Sequence, residues 1–174
     1  HQDAMSLLGG TLVVDPLAAG FKIVILGLTI VTALISIDYD IGRHVGEYFA
    51  TMLFGAVGMM LLISAEELVM IFVALELTSI CLYILTAFNK RSAQSAEAAL
   101  KYFLFCGMAA AVTLFGMSLI YGLSGATNLR AIADALTGPT LDPLLLAAIV
   151  MTVVGFGFKV AAVPFHLWAP DTYE

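Results

Sequence analysis

The stretch PLLLAAIVMTVVGFGFKVAAVPFHLWA, from Pro143 to about Ala169, decides the fold class. It exceeds the roughly 20 helical residues that cross a hydrocarbon layer of about 30 Å. Its first charge, Lys159, comes sixteen residues after Pro143, and Pro164 follows five residues later. An unpaired backbone is too costly in lipid, so a run of this length reads as a helix. Pro164 has no N–H for the carbonyl of Val160, and its ring disrupts the preceding turn. Such breaks at membrane depth are tolerated where they line a cavity. Lys159 lies about 24 Å along the helix axis from Pro143, and tilt or the break brings it nearer the midplane. Val160–Trp168 separates it from the nearer membrane face, which argues against snorkelling. With Gly155 and Gly157 thinning the helix just before it, the pattern predicts a hydrated pocket around Lys159.

The rest of the chain reads the same way. Of its 174 residues, 61% are hydrophobic and 11% are charged, against about 25% charged in soluble domains. The expectation is an all-α polytopic transmembrane bundle of about five helices, near 16–37, 46–64, 66–88, 97–123 and 143–169, with the last broken near Pro164. Residues 1–174 form one transmembrane domain. A start at His1 and an end at Glu174 suggest a piece of a longer polypeptide. The net charge of −6 comes from acids in loops and at segment ends, and no basic patch points to nucleic acid. Cys81 and Cys106 fall inside apolar runs and read as buried hydrophobes. No cofactor motif or metal-ligand spacing is present, so no cofactor and no metal are expected in this chain.

The connections are short and polar: Asp38–Val45, Ser64–Glu67, Asn89–Ala96 and the longer Ser124–Asp142, where Leu129–Leu136 can form an interfacial helix. Arg43, Lys90 and Arg91 share one side, with Lys101 a turn inside it, and Arg130 lies on the other. The Lys90–Arg91 loop is therefore expected on the cytoplasmic side.

The charges within the spans carry the functional reading. Glu76, ten residues past Glu66, lies about 15 Å deep, where a carboxylate is costly and usually faces a bundle interior or a wet cavity. Glu76 and Lys159 are the candidate proton or ion sites. His166 suits a proton relay, and equally a helix-end histidine bonded to a carbonyl. Glu97 and Lys101 form an i,i+4 pair in the favoured order, readable as a structural ion pair or as relay groups. Lys22, six residues into the first helix, can snorkel outward. Gly107, Ala109–Ala111 and Gly116 supply small residues for helix contacts.

Three segments then carry a resemblance: LELTSICLYILTAF, EAALKYFLFCGMAAAVTLFGMSLIYGLSGATNL and GFGFKVAAVPFHLWAPDTYE. In that order they resemble the N-type, antiporter-like membrane subunit of respiratory complex I, the proton-pumping NADH:quinone oxidoreductase. The likeness is specific from Glu76 onward and looser before Gly46. It implies inverted helical repeats, each with a broken helix, and places the five helices here as the third to seventh. It also implies that Glu76 and Lys159 act as a coupled, buried proton-translocating pair. The subunit would be a non-redox part of a translocase in a bacterial cytoplasmic membrane. Its partners would be other membrane subunits of the complex and the lipid bilayer, with quinone and NADH handled elsewhere. An Mrp-like cation/proton antiporter and a non-pumping membrane scaffold are the alternatives.

Overall fold

The computed structural model describes residues 5–38, 44–137 and 142–173; Arg43 and Glu174 lie outside them. The chain forms two compact units, His1–Ser95 and Ala96–Glu174.

The first unit holds a hairpin and three long helices. Strands β1 (Met5–Leu7) and β2 (Leu12–Val14) pair antiparallel around a short turn that uses Gly9 and Gly10 at positive φ. Helix α1 (Pro16–Ser36) starts as its sequence directs: Asp15 accepts from the Ala18 N–H at 2.6 Å, and Pro16 occupies the first turn, where its missing N–H costs nothing. Helix α2 (Val45–Ser64) packs against α1 and against α3 (Leu68–Thr86). At the end opposite the hairpin, the Ser36 and Tyr48 hydroxyls lie 3.1 Å apart, and the Tyr48 ring meets Phe88 edge-on at 5.2 Å. The α2–α3 contact is close because Gly58 faces Thr78 and Ala74, where a Cβ would come within 3.1 Å of the Ala74 carbonyl.

The hairpin was not foreseen, and it explains a boundary. Glu66 donates its N–H to the Thr11 carbonyl at 3.0 Å, and Leu12 bridges to Ala65. Glu66 is thereby drawn out of the helix, and α3 begins at Leu68 rather than at 66.

The second unit contains most of α4 (Ala93–Ser124), then α5 (Leu129–Ala135), α6 (Pro143–Lys159) and α7 (Trp168–Tyr173). Helix α4 starts four residues earlier than expected because Ser92 accepts from the Ser95 N–H at 3.2 Å and acts as a cap. At 32 residues it is about 48 Å long, well beyond the hydrocarbon thickness. A short helix forms at Leu129–Ala135 within the expected span, capped by Asn128.

Among the described residues, four helices, α1 to α4, are long and apolar enough to cross a membrane. Helix α6 is a shorter apolar helix of 17 residues. It begins with Asp142 capping and Pro143 in the first turn, as α1 does. The expected run to 169 is interrupted: α6 stops at Lys159, and α7 begins at Trp168.

Candidate functional site

Helix α6 is held by a reciprocal contact with α4. Both helices carry alanine, then threonine four residues on, then glycine three further: Ala109, Thr113 and Gly116 on one, Ala148, Thr152 and Gly155 on the other. Thr113 donates to the Ala109 carbonyl at 2.8 Å, and Thr152 to the Ala148 carbonyl at 2.9 Å. Each glycine then admits the other helix's threonine. A Cβ on Gly116 would lie 2.8 Å from both the Ala148 carbonyl and the Thr152 nitrogen, and one on Gly155 would collide with the Thr113 hydroxyl. Such small-residue faces let helix backbones approach closely in lipid. The expected role of Gly155, making room for a pocket, is therefore corrected. Its missing side chain is filled by Thr113, so it sets the helix packing one turn before Lys159. The expectation for small residues on α4 holds at Gly116, while Gly107 has nothing within 4 Å of where a Cβ would be.

Lys159 is the last residue of α6 and is half-buried. Beyond it the helical pattern fails in a defined way. Ala162 donates to the Gly157 carbonyl at 2.8 Å, a wider loop than a helix makes, and Ala161 takes a positive φ of 50°, an uncommon setting for a residue with a Cβ. The Val163–Pro164 peptide is cis. The chain folds back so that Phe165 meets Phe158, ring centroids 5.5 Å apart, and Trp168 donates its indole N–H to the Phe158 carbonyl at 3.1 Å. The Phe158 carbonyl also accepts from the Ala161 N–H at 3.1 Å, so the indole adds a second bond at this helix end. Trp168 is 4% exposed and stacks on Tyr102 of α4 at 4.9 Å. The break foreseen at Pro164 is present, and the side chain that closes it, Trp168, was not anticipated. His166 is exposed, and its carbonyl accepts from the Ala169 N–H at 3.1 Å.

Glu76 sits near the middle of α3, eight residues after Leu68 and ten before Thr86. It is half-buried, at the border between the packed face with Ala74 and Ser79 and an open face with Val73 and Ile80. Neither Glu76 nor Lys159 is fully buried here: among the described residues, the buried polar side chains are serines and threonines. Glu76 stands at the edge of the α2–α3 contact and Lys159 at a helix end, so neither is fully enclosed by its own unit. Glu97 and Lys101 do come together, at 2.9 Å, but with 65% and 39% of their side chains exposed. Because α4 begins at Ala93, the pair lies in its second and third turns. Cys81 and Cys106 are buried thiols, as expected.

Comparison with known proteins places this architecture. Residues 65–174 match the family described as NADH:quinone oxidoreductase/Mrp antiporter, TM. The chain is 50% identical to NADH-quinone oxidoreductase subunit N 2 of Acidobacterium capsulatum, over 98% of this chain and 36% of that protein. It is 42% identical to F(420)H(2) dehydrogenase subunit N of Methanosarcina mazei, over 94% of this chain and 34% of that protein. In structure it is similar to a chain of respiratory complex I from Thermus thermophilus, with TM-score 0.80 and 35% identity, over 98% of this chain and 36% of that one. The chain thus spans about a third of the length of the relatives it matches. With the match covering its third to last long helices and the break after Lys159, the chain belongs to the NADH:quinone oxidoreductase/Mrp antiporter family of membrane proteins.

Proposed function

We propose that this chain is the part of an N-type subunit that moves protons within a membrane-bound NADH:quinone oxidoreductase. It would sit in a bacterial cytoplasmic membrane beside other membrane subunits, with the Lys90–Arg91 loop on the cytoplasmic side. Electron transfer from NADH to quinone takes place in other subunits. The observation that carries the reading is the end of α6 at Lys159, where regular helical bonding stops and an ammonium is left at the break. Glu76, mid-helix on α3, is the carboxylate that would hold the proton on Lys159 when the two approach. Moving apart would release the proton onward, with His166 and the Glu97–Lys101 pair as relay groups. The relative from Methanosarcina is named for a different electron donor, so the donor is not a property of this segment. The role proposed for Glu76 and Lys159 is the same for either donor.

The test uses the full subunit in its assembled complex. Lys159→Met keeps the length and apolar stem of the side chain and removes the titratable group. Lys159→Arg keeps the positive charge, but guanidinium does not release its proton. Donor-driven proton uptake in inverted membrane vesicles, normalised to assembled complex, is expected to fall to the leak level in both variants. If the arginine variant pumped at the parental rate, Lys159 would be a structural cation and not a proton carrier. The family also includes Mrp antiporters, so the same vesicles receive a sodium pulse without donor. A sodium-dependent pH change abolished by Lys159→Met would replace the pump reading with cation/proton exchange.

A further inference from the structure

A cleft of about 250 Å³ lies beside the hairpin, where α1 and α2 meet β2. Its walls include Leu7, Leu12, Val57 and Leu61, and into this apolar lining come two polar residues, Lys22 and Ser64. Ser64 is 4% exposed, and its hydroxyl has no hydrogen-bond partner among the described residues. A buried hydroxyl in that state costs about 1–3 kcal/mol, and its oxygen is enclosed rather than presented to the cleft. Lys22 is half-buried and makes no ion pair among the described residues. The carboxylate nearest in sequence, Asp15, is engaged by the Ala18 N–H, and Glu66 and Glu67 have interactions of their own.

Position settles which kind of molecule completes the site. Lys22 lies six residues into α1, about 9 Å from its start, a depth from which a lysine reaches the headgroup level of a bilayer. The helix surface around it is apolar and open: Phe21 is 54% exposed and Val57 41%. An occupant needs an apolar chain to lie on Leu12, Val57 and Leu61 and a negative charge for Lys22. A soluble anion meets only the second requirement, and a zwitterionic lipid lacks net negative charge.

We propose that this cleft binds an anionic phospholipid from the membrane leaflet on the hairpin side. Part of one acyl chain fills the apolar walls, and the phosphate pairs with the Lys22 ammonium. The β1–β2 hairpin forms the rim that keeps the lipid in place.

The test uses the full subunit in its assembled complex, moved into nanodiscs of phosphatidylcholine with a minor fraction of phosphatidylglycerol. Native mass spectrometry then reads the lipid retained on the released subunit. The parental protein is expected to retain phosphatidylglycerol in preference to phosphatidylcholine. Lys22→Gln lowers phosphatidylglycerol retention about five-fold, the equivalent of about 1 kcal/mol for one lysine at an anionic lipid surface, and Lys22→Arg preserves it. Val57→Phe, at an exposed position, narrows the cleft and lowers retention of both lipids. No preference for phosphatidylglycerol in the parental protein, or equal retention in parental and Lys22→Gln, overturns the proposal. Should Lys22→Gln fail to assemble, undiminished retention in Val57→Phe overturns it instead.

Discussion

Replacing Gly116 by alanine tests the α4–α6 contact at a point where no side-chain rotation can make room. The new Cβ would lie 2.8 Å from the Ala148 carbonyl oxygen and 2.8 Å from the Thr152 backbone nitrogen. Both atoms belong to the backbone of α6. Ordinary contact begins near 3.4 Å, so the helices must part by roughly 0.6 Å, and gaps of about 0.5–1 Å forfeit a quarter to a half of the dispersion well. Overpacking of this kind costs about 1–3 kcal/mol. Alanine in place of glycine returns up to about 1 kcal/mol of helix propensity. Gly107, on the same helix, has nothing within 4 Å of its would-be Cβ, so Gly107→Ala collects the propensity gain alone. The expected difference between the two variants is therefore about 1–3 kcal/mol, with Gly116→Ala the less stable. The assay is unfolding of the full subunit in one detergent, both variants followed side by side with the parental protein. A Gly116→Ala protein as stable as Gly107→Ala would refute the reciprocal contact. With it would go the inference that α4 fixes the rotation of α6 and hence the direction in which Lys159 leaves the helix.

Two further substitutions separate packing from proton transfer. Trp168→Phe keeps a ring against Tyr102 and loses the indole hydrogen bond to the Phe158 carbonyl, so stability should fall by about 0.5–1.5 kcal/mol, and Trp168→Ala should cost about 3–5 kcal/mol; equal stability of all three in detergent unfolding would show that the indole does not close the break. Glu97→Gln disrupts an exposed i,i+4 pair, so stability should change by less than about 0.5 kcal/mol. Because folding is barely touched, vesicle proton uptake in the Glu97 variant reads the relay role directly: parental rates would assign the pair to structure alone.

The break in the last apolar run was legible because proline lacks the donor a helix needs, which is a property of one residue. The start of α1 and that of α6 follow from an aspartate followed by proline, again a local matter. The start of α4 was misplaced by one turn because Ser92 was read as loop, although a serine cap is itself a local signal. The start of α3 could not be read locally. It depends on Glu66 bonding to Thr11, a residue more than fifty positions away.

The candidate site divides along the same line. Glu76 and Lys159 stood out because charge inside an apolar run is costly wherever it lies, and that cost is visible in one dimension. Their surroundings were not. The repeated alanine–threonine–glycine spacing is written in both α4 and α6, yet it acquires meaning only when the helices run past each other and each threonine enters the other's glycine notch. Gly155 therefore looked like space for a pocket and proved to be a packing contact. Trp168 had no role legible in the sequence and proved to donate to the carbonyl of Phe158, ten residues earlier. The sequence alone determined the membrane class, the long helices, the break and the charged residues, because lipid imposes hydrogen bonding and hydrophobicity on each segment independently. The tertiary structure alone decided which small residues touch, which indole closes the break and how far the charges are enclosed, because those depend on atoms brought together from distant parts of the chain.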